Sequence, residues 1–442
     1  MTVNGYVLRS AVVGALGGLL FGFDTAVVSG TTSALTQIFQ LSPRELGFTV
    51  SIALLGTILG SMSAGILESK YGGRAMLRVM AMLYLLSALG CALADNWETL
   101  MAARFVGGIG IGGSSVLGPV YIAEISPARI RGRLVGMFQI NIVIGVLLAY
   151  LSNYLISCMN LGRAEWRVEF GVAVVPSLLF FVMLFTIPRS ARWLAAKGRT
   201  QEAEQVLTTM GADDPHAELE EIIRALREDA SNSAESVFQW KYRLPIFLAV
   251  TLAIFNQMSG INAITYYLND IFEAGGFSRV SGNLQAVAVG GMNLLATLLA
   301  MTLIDKWGRR RLLLLGSVGM VASLSGVAYV FSKHEYLNWL LPLLMVYIFF
   351  FAISQGAVIW VYLSELFPTR VRGQGQAVGT STHWIMNAII SAAFPSIANL
   401  SPAYPFACFA IMMAVQFVVV GRWFPETKNV SLEDLQNQLV CQ

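Results

Sequence analysis

The chain has 442 residues, 56% of them hydrophobic and 12% charged, with a formal net charge of +3. A soluble domain carries about a quarter charged residues, so this much apolar side chain has to face lipid, and the reading is a polytopic membrane protein. The small net charge argues against a nucleic-acid partner, and four scattered cysteines without a CxxC pair argue against a disulfide framework or a metal site.

Twelve apolar runs of about twenty residues, enough to cross the hydrocarbon layer, follow in chain order at 9–29, 45–66, 75–94, 98–121, 132–157, 167–187, 243–270, 281–304, 312–332, 338–364, 373–398 and 403–424. The first carries Asp24 and lacks a small-residue cleavage site, so it reads as a retained span and not as a signal peptide. Between the sixth and seventh runs, residues 188–242 are polar, and "EAEQVLTTM" and "AELEEIIRALRED" within them read as short amphipathic helices. The expected fold is therefore an all-α membrane protein of twelve transmembrane helices. Its parts are a six-helix half (1–187), a cytoplasmic helical linker (188–242), a second six-helix half (243–424) and a cytoplasmic tail (425–442).

Lys and Arg set the orientation. With both termini inside, the short inner loops hold Lys70, Arg74, Arg78, Arg129, Arg131, Arg133, Lys306, Arg309, Arg310, Arg311, Arg370 and Arg372. The outer loops hold only Arg44, Arg163, Arg167, Arg279 and Lys333. The halves also repeat each other. "VYIAEISPARIRG" (120–132) matches "VYLSELFPTRVRG" (361–373), and "SKYGGR" (69–74) matches "DKWGRR" (305–310), at offsets of 241 and 236 residues. A parallel tandem repeat of this kind is a transporter architecture that places the substrate site between halves near the midplane.

Asp24 lies deep in an apolar run, where an ionised carboxylate costs roughly 2.5–3.5 kcal/mol on insertion scales. Arg104 is the one basic residue well inside a span. With the termini inside, Asp24 falls roughly 22 Å from the inner edge and Arg104 roughly 9 Å from the outer edge of a core about 30 Å thick, so the two share a depth and can pair. Burial raises a carboxyl pKa and a neighbouring cation lowers it, which makes a group able to change protonation in use. A static ion pair joining two spans is the other reading of the same residues. The second half offers amides, hydroxyls and rings instead of charge: Asn256, Gln257, Asn262, Tyr266, Tyr267, Asn293, Trp360, His383, Trp384 and Asn387. Amides donate and accept, and tryptophan offers a flat apolar face, which suits a neutral polyol and not a phosphate, nucleotide or amino acid. Polar glue between helices is the alternative for each amide taken singly. Asn262 and Tyr266 are four apart on one helix face, and Gly260 permits a bend beside Gln257.

These motifs carry a family likeness over essentially the whole chain. "GGLLFGFDTAVVSG" (17–30), "RFVGGIGIGG" (104–113), "YIAEISPARIRG", "NQMSGINAITYY" (256–267), "DKWGRRR", "SELFPTRVRG" and "PETKNVSLEDL" (425–435) together resemble the sugar porter family of the major facilitator superfamily. The nearest flavour is that of the bacterial proton-coupled pentose and hexose symporters, because Asp24 is present. Four stretches depart from the family pattern: "SKYGGR", "PRSARWL" (188–194), the start of "NQMSGIN", and His383 in place of a polar amide. The resemblance implies that Asp24 is the proton carrier and Arg104 its partner. It places sugar contacts at Gln139, Gln257, Asn262, Asn293, Trp360 and Trp384. Glu124 with Arg129 and Arg131, and Glu365 with Arg370 and Arg372, lie near the loop that holds Asp305, Arg309 and Arg310. They are read as gating salt bridges at the cytoplasmic mouth, with positive-inside anchoring as the plainer alternative.

The expectation is a proton–sugar symporter working by alternating access, not an enzyme. It acts as a monomer in a bacterial inner membrane and uses the proton gradient with no cofactor; there is no GxxxxGK[ST] stretch for ATP. A proton-independent uniporter or exchanger and a non-transporting sugar sensor are the rivals, and a drug or cation antiporter is disfavoured by the amide-rich site.

Overall fold

The computed structural model describes residues 4–127, 130–212, 214–231, 235–368 and 371–428, without the side chains of 228–231 and 305. The first half contains α1 (Gly5–Phe39), α2 (Pro43–Tyr71), α3 (Gly73–Ala92), α4 (Trp97–Ile125), α5 (Arg131–Ser157), and the paired segments α6 (Glu165–Gly171) and α7 (Val174–Met183). The linker forms α8 (Ala191–Ala196), α9 (Thr200–Met210) and α10 (Pro215–Ser231). The second half contains α11 (Arg243–Met258), α12 (Ile261–Tyr266), α13 (Leu268–Ala274), α14 (Arg279–Trp307) and α15 (Arg309–Lys333). It continues with α16 (Leu340–Phe351), α17 (Ala357–Glu365), α18 (Arg372–Leu400) and α19 (Ala403–Trp423). Eleven helical stretches among the described residues are long and apolar enough to cross a membrane. The remaining expected span, 373–398, is α18, a helix of 29 residues that carries His383 and Asn387.

Several spans outrun their apolar cores. α1 has 35 residues, roughly 50 Å at 1.5 Å per residue and well beyond a hydrocarbon layer of about 30 Å. Backbone polar groups in lipid have no water to bond, so helices run on until they reach the interface.

The chain divides into two compact units. One comprises Met1–Val27, Ile52–Ser152 and Ala164–Ser233; the other comprises Val28–Ser51, Asn153–Arg163 and Ala234–Gln442. Helix α1 therefore passes from the first unit to the second after Val27 without a break. The first unit is built around Leu77, Leu117, Tyr121, Ile122, Phe180 and Leu184. The linker helices α8 to α10 close a small core of their own from Ala191, Leu194, Ala203, Leu207 and Leu219. The second unit packs Leu248, Leu252, Leu312, Val358, Tyr362 and Phe367.

Glycines set the spacing in the first unit. A Cβ on Gly22 would overlap the carbonyl of Ile142, and one on Gly145 would overlap the carbonyl of Leu19, so α1 and α5 touch backbone to backbone. Gly56 and Gly60 of α2 meet the carbonyls of Phe105 and Ile109, while Gly108 and Gly112 of α4 meet those of Ala53 and Thr57. Two small-xxx-small stripes thus face each other, and close backbone approach supplies the dispersion that lipid-exposed helices cannot draw from the hydrophobic effect. Gly112→Val is expected to destabilise the protein by about 1–3 kcal/mol through overpacking. The check is the midpoint of thermal unfolding in detergent, with Gly132→Val, at a position where a Cβ meets nothing, as the unaffected control.

Candidate functional site

Asp24 and Arg104 stand on α1 and α4 within the first unit. The Arg104 Nη1 donates to both carboxylate oxygens of Asp24, at 2.9 and 3.1 Å. The Arg104 side chain is 3% exposed and that of Asp24 20%, so the pair is shielded but the acid keeps an opening. The guanidinium carbon lies 5.5 Å from the centre of the Phe170 ring, which adds a cation–π contact. Beside Asp24 is a cavity of about 10 Å³ lined in part by Tyr84, Ser87 and Ser177, at the limit for one water molecule. The Tyr84 hydroxyl is held to Ser114 Oγ at 2.9 Å. The rest of the cavity lining is largely apolar, with Leu20, Val27, Ala88, Phe170 and Ala173.

Span six adds residues the sequence reading did not single out. Glu165 and Glu169 are both buried on α6, Glu169 completely. Glu169 precedes the Phe170 that lies against Arg104. The signal was legible: two acids four apart, hence on one helix face, where an apolar run begins.

The second polar cluster belongs to the second unit and begins at a broken helix. α11 ends at Met258, Gly260 adopts φ +86°, and α12 starts at Ile261. A non-glycine residue would be strained there. A Cβ on Gly260 would also overlap the Phe409 ring. The backbone freed by the break is recovered, because the Tyr347 hydroxyl donates to the Ser259 carbonyl at 2.9 Å. The break is the bend expected between Gln257 and Asn262, and it turns their side chains toward each other. Asn262 Nδ2 donates to Gln257 Oε1 at 3.0 Å. Gln257 Nε2 lies 3.0 Å from His383 Nε2 and 3.2 Å from Nδ1, so the amide donates to whichever ring nitrogen is bare. His383 is flanked by Trp360 and Trp384, with ring centres 5.1 and 5.2 Å away. Trp384 is buried and Trp360 is 40% exposed, leaving one indole face open.

A second broken helix lies opposite. Between α16 and α17 the chain makes a π turn, Ala352–Gly356, a distortion common at functional sites. It carries Gln355, whose Oε1 accepts from Asn256 Nδ2 at 3.3 Å and whose Nε2 donates to Gln416. Neither Gln355 nor Gln416 was anticipated from sequence. Asn387 Oδ1 accepts from Ser391 Oγ at 3.0 Å, while its buried Nδ2 has no hydrogen-bond partner among the described residues. Asn293 is half-buried on α14, and Tyr266 is buried on α12. Gln139 is half-buried on α5 and belongs to the first unit, so the structure does not bring it together with this cluster.

At the Arg-rich end of the second unit, Arg309 Nη2 bonds Glu365 Oε1 at 2.9 Å. Glu365 Oε2 accepts from Thr427 Oγ1 at 2.6 Å. Arg372 donates to the carbonyl of Phe367. In the first unit Glu124 is met by Ser190 and Arg192, while Arg131 is exposed. Glu124 thus has neighbours from "PRSARWL", which the chain carries back to the end of α4. Arg129, Arg370 and the tail beyond Lys428 lie outside the described residues, as does the Asp305 side chain.

Twelve spans in two repeated halves, a buried carboxylate–guanidinium pair and an amide–aromatic cluster define a membrane transport protein. The model of the sugar (and other) transporter family matches residues 10–439. The arabinose-proton symporter of Bacillus subtilis (strain 168) is 34% identical over 442 residues, covering 98% of this chain and 95% of that one. The D-xylose-proton symporter of Escherichia coli (strain K12) is 32% identical over 471 residues, with 98% and 96% covered. The inward-open structure of the E. coli xylose transporter superposes with a TM-score of 0.88 at 33% identity, covering 98% of this chain and 100% of that one. The chain belongs to the sugar transporter family of the major facilitator superfamily.

Gln257 holds the centre of the amide cluster, so Gln257→Ala is expected to weaken sugar binding about tenfold, the order of one lost hydrogen bond in a buried polar site. Tryptophan fluorescence titrated with arabinose, xylose and glucose reads it, provided the variant elutes and melts as the parent does. An unchanged affinity would assign Gln257 to helix packing.

Proposed function

We propose that this chain is a proton-coupled symporter that imports a neutral monosaccharide by alternating access. The observation that carries the reading is the buried Asp24–Arg104 pair. An isolated acid there would be neutral, and a permanently paired one would be inert; an acid held by one guanidinium beside a water-sized cavity is responsive. In this reading a proton from the outer side neutralises Asp24 and loosens its hold on Arg104. Sugar hydroxyls then exchange for the Gln257–Asn262 and Gln257–His383 hydrogen bonds, and the Trp360 indole covers the apolar face of the ring. Sugar and proton leave together on the other side, and no covalent bond changes.

The names of the relatives support a pentose or hexose: arabinose, D-xylose and galactose, each with a proton. His383, set between two indoles and bonded to Gln257, is a position that selects among them. The positive-inside pattern supports cytoplasmic termini, with the Arg-rich ends of both units on the cytoplasmic side. The Arg309–Glu365–Thr427 network and the Glu124 contacts are then the cytoplasmic gate elements, together with Arg131, Arg310 and Arg372; Arg129 and Arg370, assigned to the same gate, lie outside the described residues. The functional unit is a monomer driven by the proton gradient alone.

Uptake of labelled arabinose, xylose, galactose and glucose into vesicles, with and without an imposed pH gradient, tests the whole reading. Asp24→Asn is expected to abolish gradient-driven accumulation while sugar counterflow survives. Undiminished accumulation by that variant would sink the proton role. A wild type that equilibrates sugar identically with and without the gradient would make it a uniporter.

A further inference from the structure

The two halves repeat one local structure at their Arg-rich ends, and the charges set into it differ. In the second half, the chain after α19 runs back to the start of α15. Tyr362 donates to the Pro425 carbonyl at 2.8 Å, and Thr427 reaches Glu365. Between them Glu426 places its carboxylate on the first amides of α15, accepting from Arg309 N at 2.8 Å and Arg310 N at 3.2 Å. The start of this 25-residue helix thereby receives an anion, which satisfies donors that have no intrahelical partner and complements the helix dipole.

The first half builds the same frame. Tyr121 donates to the Pro188 carbonyl at 2.9 Å, and Ser190 bonds Glu124. Gly72, Gly73 and Arg74 stand where Gly308, Arg309 and Arg310 stand in the other half. The residue between Pro188 and Ser190, however, is Arg189, the reverse charge of Glu426. Helix α3, of 20 residues, accordingly starts without a side-chain cap. Beside its first turn lies a cleft of about 30 Å³ lined by Gly73, Arg74, Arg78, Arg189, Ser190 and Trp193, among others. Arg74 and Arg78 are anchored by the carbonyls of Ile187 and Leu184, at 2.8 and 3.1 Å. Arg189 stacks over Trp193, its guanidinium carbon 5.6 Å from the ring centre. The Glu68 carboxylate comes close to Gly73 at this helix start, although Glu68 does not line the cleft. Three guanidinia and an uncapped helix start therefore converge on a space that admits one or two oxygen atoms.

We propose that this cleft binds a phosphate-bearing anion supplied from outside the chain, which does for α3 what Glu426 does for α15. Guanidinium forks and helix-start amides are the two groups that best recognise phosphate oxygens. The same amides in the repeated half already hold an oxyanion, and three arginines line the cleft while no acidic residue does. The phosphate can come from solution or from the headgroup of an anionic lipid, since the cleft opens at the Arg-rich end of the spans.

The test compares wild type with Arg189→Glu, which restores the internal carboxylate. Purified full-length protein in neutral detergent is titrated with inorganic phosphate against chloride at matched ionic strength, with thermal unfolding as the readout. In parallel it is reconstituted in phosphatidylcholine nanodiscs with and without phosphatidylglycerol. Wild type is expected to be stabilised in at least one arm, with an apparent affinity about tenfold weaker in the variant, as for loss of a charge-assisted contact. Stabilisation by phosphate alone identifies a soluble anion, and stabilisation by phosphatidylglycerol alone identifies a lipid headgroup. No stabilisation in either arm, or equal stabilisation of wild type and variant, overturns the proposal. Should Arg189→Glu fail to fold, Arg189→Gln serves in the same two arms with the same expected direction.

Discussion

In the hydrocarbon layer every backbone amide and carbonyl has to find its partner within the protein, and that constraint organises this structure. Helices that obey it carry few polar side chains. Two places in the second unit where a helix is interrupted, Ser259–Gly260 and the π turn Ala352–Gly356, are places where amides gather. The coincidence is physical. A broken helix exposes backbone dipoles that need polar company, here supplied by Tyr347 on the Ser259 carbonyl. Gln257, Asn262, Gln355 and Asn256 then form a network satisfied mostly from within. A polar ligand entering such a network would have to exchange one set of hydrogen bonds for another, which makes high demands on its geometry.

The first unit solves a different problem with the same economy of charge. One carboxylate and one guanidinium face each other where neither could stand alone, and the aromatic face of Phe170 spreads the positive charge. Removing the charge of Asp24 leaves Arg104 buried without its counter-ion, which disfavours the arrangement that held them together. Glu165 and Glu169 on the neighbouring span place further acid in the same shielded unit.

Much of this was legible in the sequence for reasons that can be named. Span number, the repeat and the Asp24–Arg104 pairing follow from hydropathy, spacing and depth, which act locally or along one helix axis. Gly260 announced its own bend. Gln355 and Gln416 escaped notice because single glutamines in apolar spans look alike until a π turn rotates one of them onto its partner. The Ser190 and Arg192 neighbours of Glu124 are not legible in the sequence, since the return of residues 188–194 to α4 is a tertiary event with no local signal. The "PETK" segment was noticed as a motif without a role. Its use as a helix cap appears only when the last span is seen to end beside the start of α15.

Helix α1 has one further property. It is a single unbroken rod, yet its residues up to Val27 belong to one compact unit and those from Val28 onward to the other. Asp24 stands three positions, just under one turn, before that boundary. Asp24 therefore rides on a helix that both units share, as they also share α2 and α5. A change of charge at Asp24 would act on a helix whose covalent chain runs on into the other unit, and the stiffness of that helix would set how far along it the change is felt.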